Sequence, residues 1–312
     1  MRIGVLMGGR SLERDISLRS GRRVCNALSE LGYDVLELDV DESFVPTLKS
    51  EHPDLVYIAL HGKFGEDGTV QELLEILDIP YTGPGVFAST MGFNKALSKE
   101  IFLHEGISTP PFFVLSEATF QEMGAVHALS AVAEKLGFPL VVKPAAQGSA
   151  LGVNFATSLE TLPLAVQSAL HYDERVLLEK FVNGTEVAAS ILGNDQLEAL
   201  PLVETVPRSE FFDFEARYTP GLTEYYCPAR LDDGTTKAAI DIALRTHVAL
   251  GCLNVSRVDI IIDGDGVPQV LELNISPGMT ETSLLPMAAE AAGLDFKELV
   301  KKLVSLALEK SS

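Results

Sequence analysis

The sequence predicts an α/β protein that opens on a parallel sheet covered by helices and continues into two mixed α+β units. Three observations predict it. In the first ninety residues, apolar runs of strand length alternate with helical stretches, the rhythm of an open parallel sheet. Late in the chain, "RVDIIIDGDGVPQVLELNISPG" (257–278) holds two apolar runs around "DGDG" (263–266), the signal of a β-hairpin. And 312 residues, at roughly 100–150 per domain, suffice for two or three domains, which we place at 1–94, 95–183 and 184–312.

In chain order, strands are expected at 2–8, 33–40 and 54–62, with helices at 17–31 and 69–78. Ligands of such sheets bind beyond the carboxyl ends of the strands, where two polar loops follow: "GGRSLERDIS" (8–17) and "HGKFGEDGT" (61–69). The second region starts with the helix "NKALSKEIFLHEG" (94–106), then strands around "PFFVL", "PLVVKP" and "VLLEKFV". The third has strands near 185–192 and 197–203, an irregular stretch at 207–229, a helix at 235–250, the hairpin and a closing helix at 286–310. The irregular stretch is long and aromatic, as lids and binding loops are.

Composition excludes several classes. Hydrophobic residues at 46% and charged residues at 22% describe an ordinary soluble globular protein. No apolar run approaches the ~20 residues that cross a bilayer, and "MRIGVLMGGR" runs into a glycine turn as a buried strand does, not as a signal peptide does. Cys25, Cys227 and Cys252 are odd in number and far apart. They give neither a disulfide framework nor a zinc pattern and fit a reducing cytoplasm. A net charge of −20 argues against nucleic acid or anionic membrane as partner.

The hairpin carries chemistry. Positions two apart on a strand share a face, so Glu272 and Asn274 point the same way. If Asp263 pairs with Pro268, Asp259 lies opposite Glu272; with a turn two residues tighter it lies opposite Val270 and diagonal to Glu272. Either way the acids share a face. Two carboxylates and an amide oxygen suit Mg²⁺; the alternative is a solvated acidic face. Lys143 ends the strand of "PLVVKPAAQGSALGVNF", where a lysine and exposed backbone N–H groups make a phosphate cradle, unless Gly148 and Gly152 only turn a hairpin. In "LLEKFVNGTEV", Glu179, Lys180 and Glu186 sit where an apolar strand meets a turn. Backbone groups there suit an adenine edge and Glu186 suits ribose hydroxyls, or all are solvated charges.

With these segments in this order, the chain resembles the D-alanine–D-alanine ligase family of ATP-grasp enzymes almost end to end. The likeness rests on "GGRSLERDIS", "IALHGKFGEDGT", "IPYTGPG", "VVKPAAQGS", "EKFVNGTE", "EARYTPGLTEYYCPA", "SRVDIIID" and "ELNISPGMTETSLLP". It implies an N-terminal substrate-binding domain followed by a two-part ATP-grasp module with nucleotide between two sheets. It also implies ATP-dependent joining of two D-alanines through an acyl phosphate, for peptidoglycan precursors, in a cytoplasmic homodimer. Matched residue by residue, Glu13 meets the first substrate's ammonium and His61 its carboxylate. Ser149 links to Glu13 and to Tyr218 of the lid. Lys95, Lys143 and Arg217 match phosphate-binding positions; Glu179, Lys180, Phe181, Val182 and Glu186 match the adenosine site. Asp259, Glu272 and Asn274 match the ligands of two Mg²⁺ (or Mn²⁺) ions. Arg257 and the Gly278 backbone N–H match the oxyanion site, and Ser283 and Leu284 the grip on the second carboxylate.

Three positions depart from the family pattern. Arg217 stands where lysine is commoner, Ala150 where a second serine is frequent, and Asn94 where aspartate usually precedes the lysine. Each bears on nucleotide affinity; Arg and Lys are not equivalent at a tight site. Competing readings are a ligase using D-lactate or D-serine, against which Tyr218 stands where depsipeptide relatives tend to carry histidine, and a non-catalytic ATP-grasp module, against which Arg257, Asp259, Glu272 and Asn274 are all retained. A dinucleotide-dependent dehydrogenase is disfavoured, because "GGRSLE" lacks G-x-G-x-x-G.

Overall fold

The structure is a computed structural model that describes residues 1–207 and 222–310. The first sheet joins β1 (Arg2–Met7), β2 (Asp34–Asp39) and β3 (Leu55–Ile58) in the order β2-β1-β3, all parallel. Its crossovers are α1 (Arg14–Glu30) and α2 (Phe44–Glu51). The second of these was not expected from the sequence. After β3 come α3 (Thr69–Ile76), a parallel bridge from Tyr81 to Val56, α4 (Val86–Phe93) and α5 (Lys95–His104).

The second sheet is antiparallel. It holds β4 (Phe112–Ser116), β5 (Leu140–Pro144), β6 (Asn154–Ala156) and β7 (Arg175–Lys180) in the order β4-β7-β5-β6. Helices α6 (Glu117–Glu122), α7 (Leu129–Leu136) and α8 (Leu162–Leu170) accompany it. Leu140, Val142, Val176 and Leu178 of its strands bury against Leu136, Leu162 and Val166 of the helices.

The third sheet contains β8 (Gly184–Gly193), β9 (Glu198–Ala199), β10 (Val203–Pro207), β11 (Thr223–Tyr226), β12 (Asn254–Asp263) and β13 (Pro268–Asn274). Its order is β11-β10-β8-β12-β13, with β9 on β8. One face packs on α9 (Asp233–Ala249) through Val187, Val258, Ile260, Val270 and Leu273 against Ala239, Ile242 and Ala243. The strand expected at 197–203 is two strands, 198–199 and 203–207, divided around Pro201, which has no N–H to offer a ladder. The stretch expected to be irregular includes β11, paired with β10.

The closing helix is also two: α10 (Leu284–Ala291) and α11 (Phe296–Lys310). Gly293 takes φ +85° between them, the left-handed conformation that ends helices and that glycine adopts without strain. Helix α11 turns back onto the first sheet. Its Leu299, Val300, Leu303, Val304 and Ala307 share a core with Ile3, Val5, Val24, Leu28, Leu55 and Tyr57. The last helix thus covers the first strands. Among the described residues no helix is long and apolar enough to cross a membrane.

Candidate active site

The hairpin shows how the sequence builds the site. Near the turn β12 and β13 pair Ile262 with Pro268 and Ile260 with Val270; beyond a one-residue shift, Asp259 pairs with Glu272 and Arg257 with Asn274. Leu271 is the extra residue of a β-bulge. The register at the turn matches neither alternative considered from the sequence, yet the acids face each other. Run straight from the turn, the ladder would set Glu272 opposite Val258, inside the apolar core under α9. A carboxylate buried there would be costly. The bulge instead returns Val270 and Leu273 to the core and brings Leu271 and Glu272 to the opposite face, where both line one cavity.

On that face each acid has a cationic neighbour. Arg257 grips Asp259 two-handed, Nε to Oδ1 at 2.7 Å and Nη2 to Oδ2 at 2.8 Å, with both side chains buried. Lys95 Nζ lies 3.1 Å from Glu272 Oε2 and donates to the Gln147 carbonyl at 2.6 Å. Deeper in, Glu179 Oε2 is 2.5 Å from Lys143 Nζ, and its other oxygen pairs with Lys99. Burial would raise the Glu179 carboxyl, but the charges of Lys143 and Lys99 outweigh it and hold the group below the usual carboxylate range. For Lys99 burial wins and pushes its ammonium down to about 8. Among the described residues no three His, Cys, Asp or Glu side chains form a ready-made metal cage.

Two cavities meet at Lys95, Gln147 and Glu272. The first lies where the first sheet meets the hairpin, lined by Glu13, His61, Gly148, Ser149, Arg257, Asn274, Gly278, Ser283 and Leu284. Glu13, at the start of α1, is 3% exposed and accepts a hydrogen bond from Ser149 Oγ. The backbone must come close to reach it: a Cβ on Gly62 would sit 2.3 Å from Glu13 Oε2 and one on Gly148 2.8 Å. Next to Gly148, Ser149 and Ala150 adopt φ +54° and +57°. Non-glycine residues pay strain for that conformation, and such strain gathers at functional loops.

His61 is held by Ser20, whose Oγ is 3.1 Å from its Nε2 and accepts the Met279 N–H at 3.2 Å. Arg23 clamps the same segment by donating to the carbonyls of Met279 at 3.0 Å and Thr280 at 2.8 Å. Ser283 is the N-cap of α10, so the first N–H groups of that helix open beside Gly278, a favourable place for a carboxylate.

The second cavity lies between the second and third sheets, about 400 Å³ in volume, within the roughly 300–1,000 Å³ of small-ligand sites. Val141, Leu151, Phe155, Phe181, Val182, Ile261 and Leu271 supply apolar walls, and Lys95 and Lys143 a cationic end. Phe155 meets Phe181 edge to face, with centroids 6.1 Å apart. Such a site takes a flat, apolar-faced body with an anionic tail that ends against Lys95 and Lys143.

Every site residue expected from the sequence lines one of these cavities except Arg217 and Tyr218, which lie outside the described residues, as do residues 208–221 of the expected lid. Sequence reasoning missed Lys99, Gln147, Ser20 and Arg23. Lys99 left a signal: it sits one helical turn from Lys95 on the same helix.

A model described as D-ala D-ala ligase C-terminus matches residues 101–305, and one described as D-ala D-ala ligase N-terminus matches residues 45–84. The chain belongs to the D-alanine–D-alanine ligase family. It is 45% identical over 309 residues to the D-alanine–D-alanine ligase of Pelotomaculum thermopropionicum, covering 99% of this chain and 97% of that one. It is 46% identical over 310 residues to the one from Desulforamulus reducens, covering 99% of both. Among solved structures, the Bacillus anthracis D-alanine–D-alanine ligase superposes with TM-score 0.86 at 35% identity, covering 100% of this chain and 98% of that one. The same enzyme complexed with ATP gives 0.84 at 33%, with the same coverage. The VanG D-Ala:D-Ser ligase of Enterococcus faecalis gives 0.83 at 29%, covering 98% and 99%. The fold is therefore the ATP-grasp fold of this family.

Proposed function

We propose that this protein is an ATP-dependent ligase that joins two D-alanines into D-alanyl-D-alanine. The observation that carries this reading is the junction itself. Lys95 and Glu272 line both the nucleotide-shaped cavity and the cavity that holds a buried acid, a histidine and an open helix N-terminus.

The first D-alanine binds with its ammonium at Glu13 and its carboxylate toward His61. ATP lies in the second cavity, with adenosine along Glu179, Lys180, Phe181, Val182 and Glu186 and phosphates at Lys95 and Lys143. A carboxylate oxygen attacks the γ-phosphorus, ADP leaves, and the acyl phosphate has the leaving group that a free carboxylate lacks. The amine of the second D-alanine, anchored by its carboxylate at Ser283 and Leu284, attacks the acyl carbon. Charge gathers on the former carbonyl oxygen, where Arg257 and the Gly278 N–H are prepositioned donors. Inorganic phosphate departs and the amide remains.

Asp259, Glu272 and Asn274 fit Mg²⁺ or Mn²⁺: all three offer oxygen to one side of the hairpin, and Mg²⁺ commonly combines one or two carboxylates with substrate phosphates. Two bound ions would neutralise charge developing on the transferred phosphoryl group. The wider reading, a cytoplasmic homodimer supplying peptidoglycan precursors, is supported by the family resemblance.

D-alanine-dependent ADP formation tests the reaction, and ADP formation indifferent to D-alanine would sink it. With D-alanine, D-serine and D-lactate offered as second substrate, D-alanine is expected to be favoured at neutral pH. A preference for D-lactate would overturn that specificity.

A further inference from the structure

Lys99 is 0% exposed and among the largest fully buried side chains of the described residues. It lies on α5 one turn beyond Lys95, its Nζ ion-paired with Glu179 Oε1 and hydrogen-bonded to Thr109 Oγ1. Thr109 Oγ1 donates its own hydrogen bond to the Val270 carbonyl at 2.7 Å, which leaves its lone pairs facing the ammonium. The Phe112 ring, 5.5 Å away, packs beside the charge. Lys99 does not line the nucleotide cavity; Lys143, on the far oxygen of the same carboxylate, does.

We propose that Lys99 is a positioning residue for the triphosphate: it shares the Glu179 carboxylate with Lys143, so that Glu179 anchors Lys143 without cancelling its charge. This rests on the ligase reading and deepens it. Two ammonium groups on one carboxylate leave a net positive charge, and only Lys143 opens to the cavity. With an apolar side chain in place of Lys99, the whole negative charge of Glu179 would fall on Lys143. The phosphate end of the cavity would lose about one unit of charge, where low dielectric makes a unit charge count most. Stability alone gives no reason for a lysine here. Burying an ammonium costs several kcal/mol before pairing, and well-packed apolar residues often replace buried ion pairs without loss.

The test is calorimetric titration of the full-length protein, wild type and Lys99→Met, with ATP plus Mg²⁺ and separately with adenosine. Loss of the shared charge is expected to weaken ATP by about tenfold and leave adenosine within about twofold, with KM for ATP raised and KM for D-alanine unchanged. A purely structural role, which would disturb β7 and the segment after it, would weaken both ligands alike, and that result overturns the inference. Lys99→Gln keeps a donor for Glu179 and Thr109 but no charge, and is expected to match Lys99→Met. Wild-type ATP affinity in Lys99→Gln would also overturn the inference. Should Lys99→Met fail to fold, Lys99→Gln carries the same comparison. If wild type itself bound no ATP, the ligase reading would fall first.

Discussion

At the scale of single residues, the hairpin acids are held ready by cations. Arg257 and Lys95 supply counter-charge to Asp259 and Glu272, so the face can carry two opposed carboxylates without mutual repulsion deciding its geometry. Glu272→Gln exchanges one carboxylate for a neutral amide of the same shape. D-alanine-dependent phosphate release is expected to fall by at least about a hundredfold with the thermal midpoint near wild type, and near-normal turnover would remove Glu272 from the reaction. Away from the site, His247 is buried, its Nδ1 2.8 Å from Ser256 Oγ, and burial pushes it down from 6.5 to about 4. The unfolded chain therefore binds this proton more readily between those values, and the folded state loses stability as pH falls from about 6.5 toward about 4. Denaturant titrations across that range should show a steeper acid loss in wild type than in His247→Gln; parallel slopes would mean His247 is not the group responsible.

At the scale of elements, helix α5 carries both Lys95 and Lys99, and its first turn is set by Asn94. The Asn94 side chain accepts from the N–H groups of Ala96 at 3.1 Å and Leu97 at 3.2 Å. In the structure Asn94 is an N-cap, a position where asparagine and aspartate serve about equally. Asn94→Ala is expected to cost ~1 kcal/mol in urea unfolding, while Asn94→Asp stays within a few tenths. The parallel sheet was legible in apolar runs alternating with helical stretches, and the facing acids in the two-residue period of a strand and its turn residues, all of them local signals. The bulge was legible only in hindsight: Val270 and Leu273, both core residues, are three apart, which no regular strand allows. Helix α2 and the break at Gly293 went unread, and so did the burial of Lys99, since charge normally marks a surface and only the partner strand shows otherwise.

At the scale of the molecule, nothing local announces that α11 belongs to the first sheet. Its apolar face fits any core, and a separation of more than 200 residues between Leu299 and Leu55 hides the pairing. Five buried apolar side chains on α11, most worth ~1.5–3 kcal/mol, rival the ~5–15 kcal/mol that hold a typical domain together. A chain ending after Leu294 is therefore expected not to fold cooperatively, and a truncated protein melting at the wild-type temperature would contradict this packing account. The same long-range closure brings the loops of the first sheet over the hairpin, which is what sets Glu13 and His61 in one cavity with Arg257 and Glu272. The central claim is that a carboxylate of D-alanine becomes a phosphoryl acceptor in that cavity. Its most direct measurement is mass analysis of the phosphate released when D-alanine labelled with ¹⁸O in its carboxylate is turned over with unlabelled ATP. The account predicts transfer of one labelled oxygen to each phosphate; phosphate free of label would contradict it.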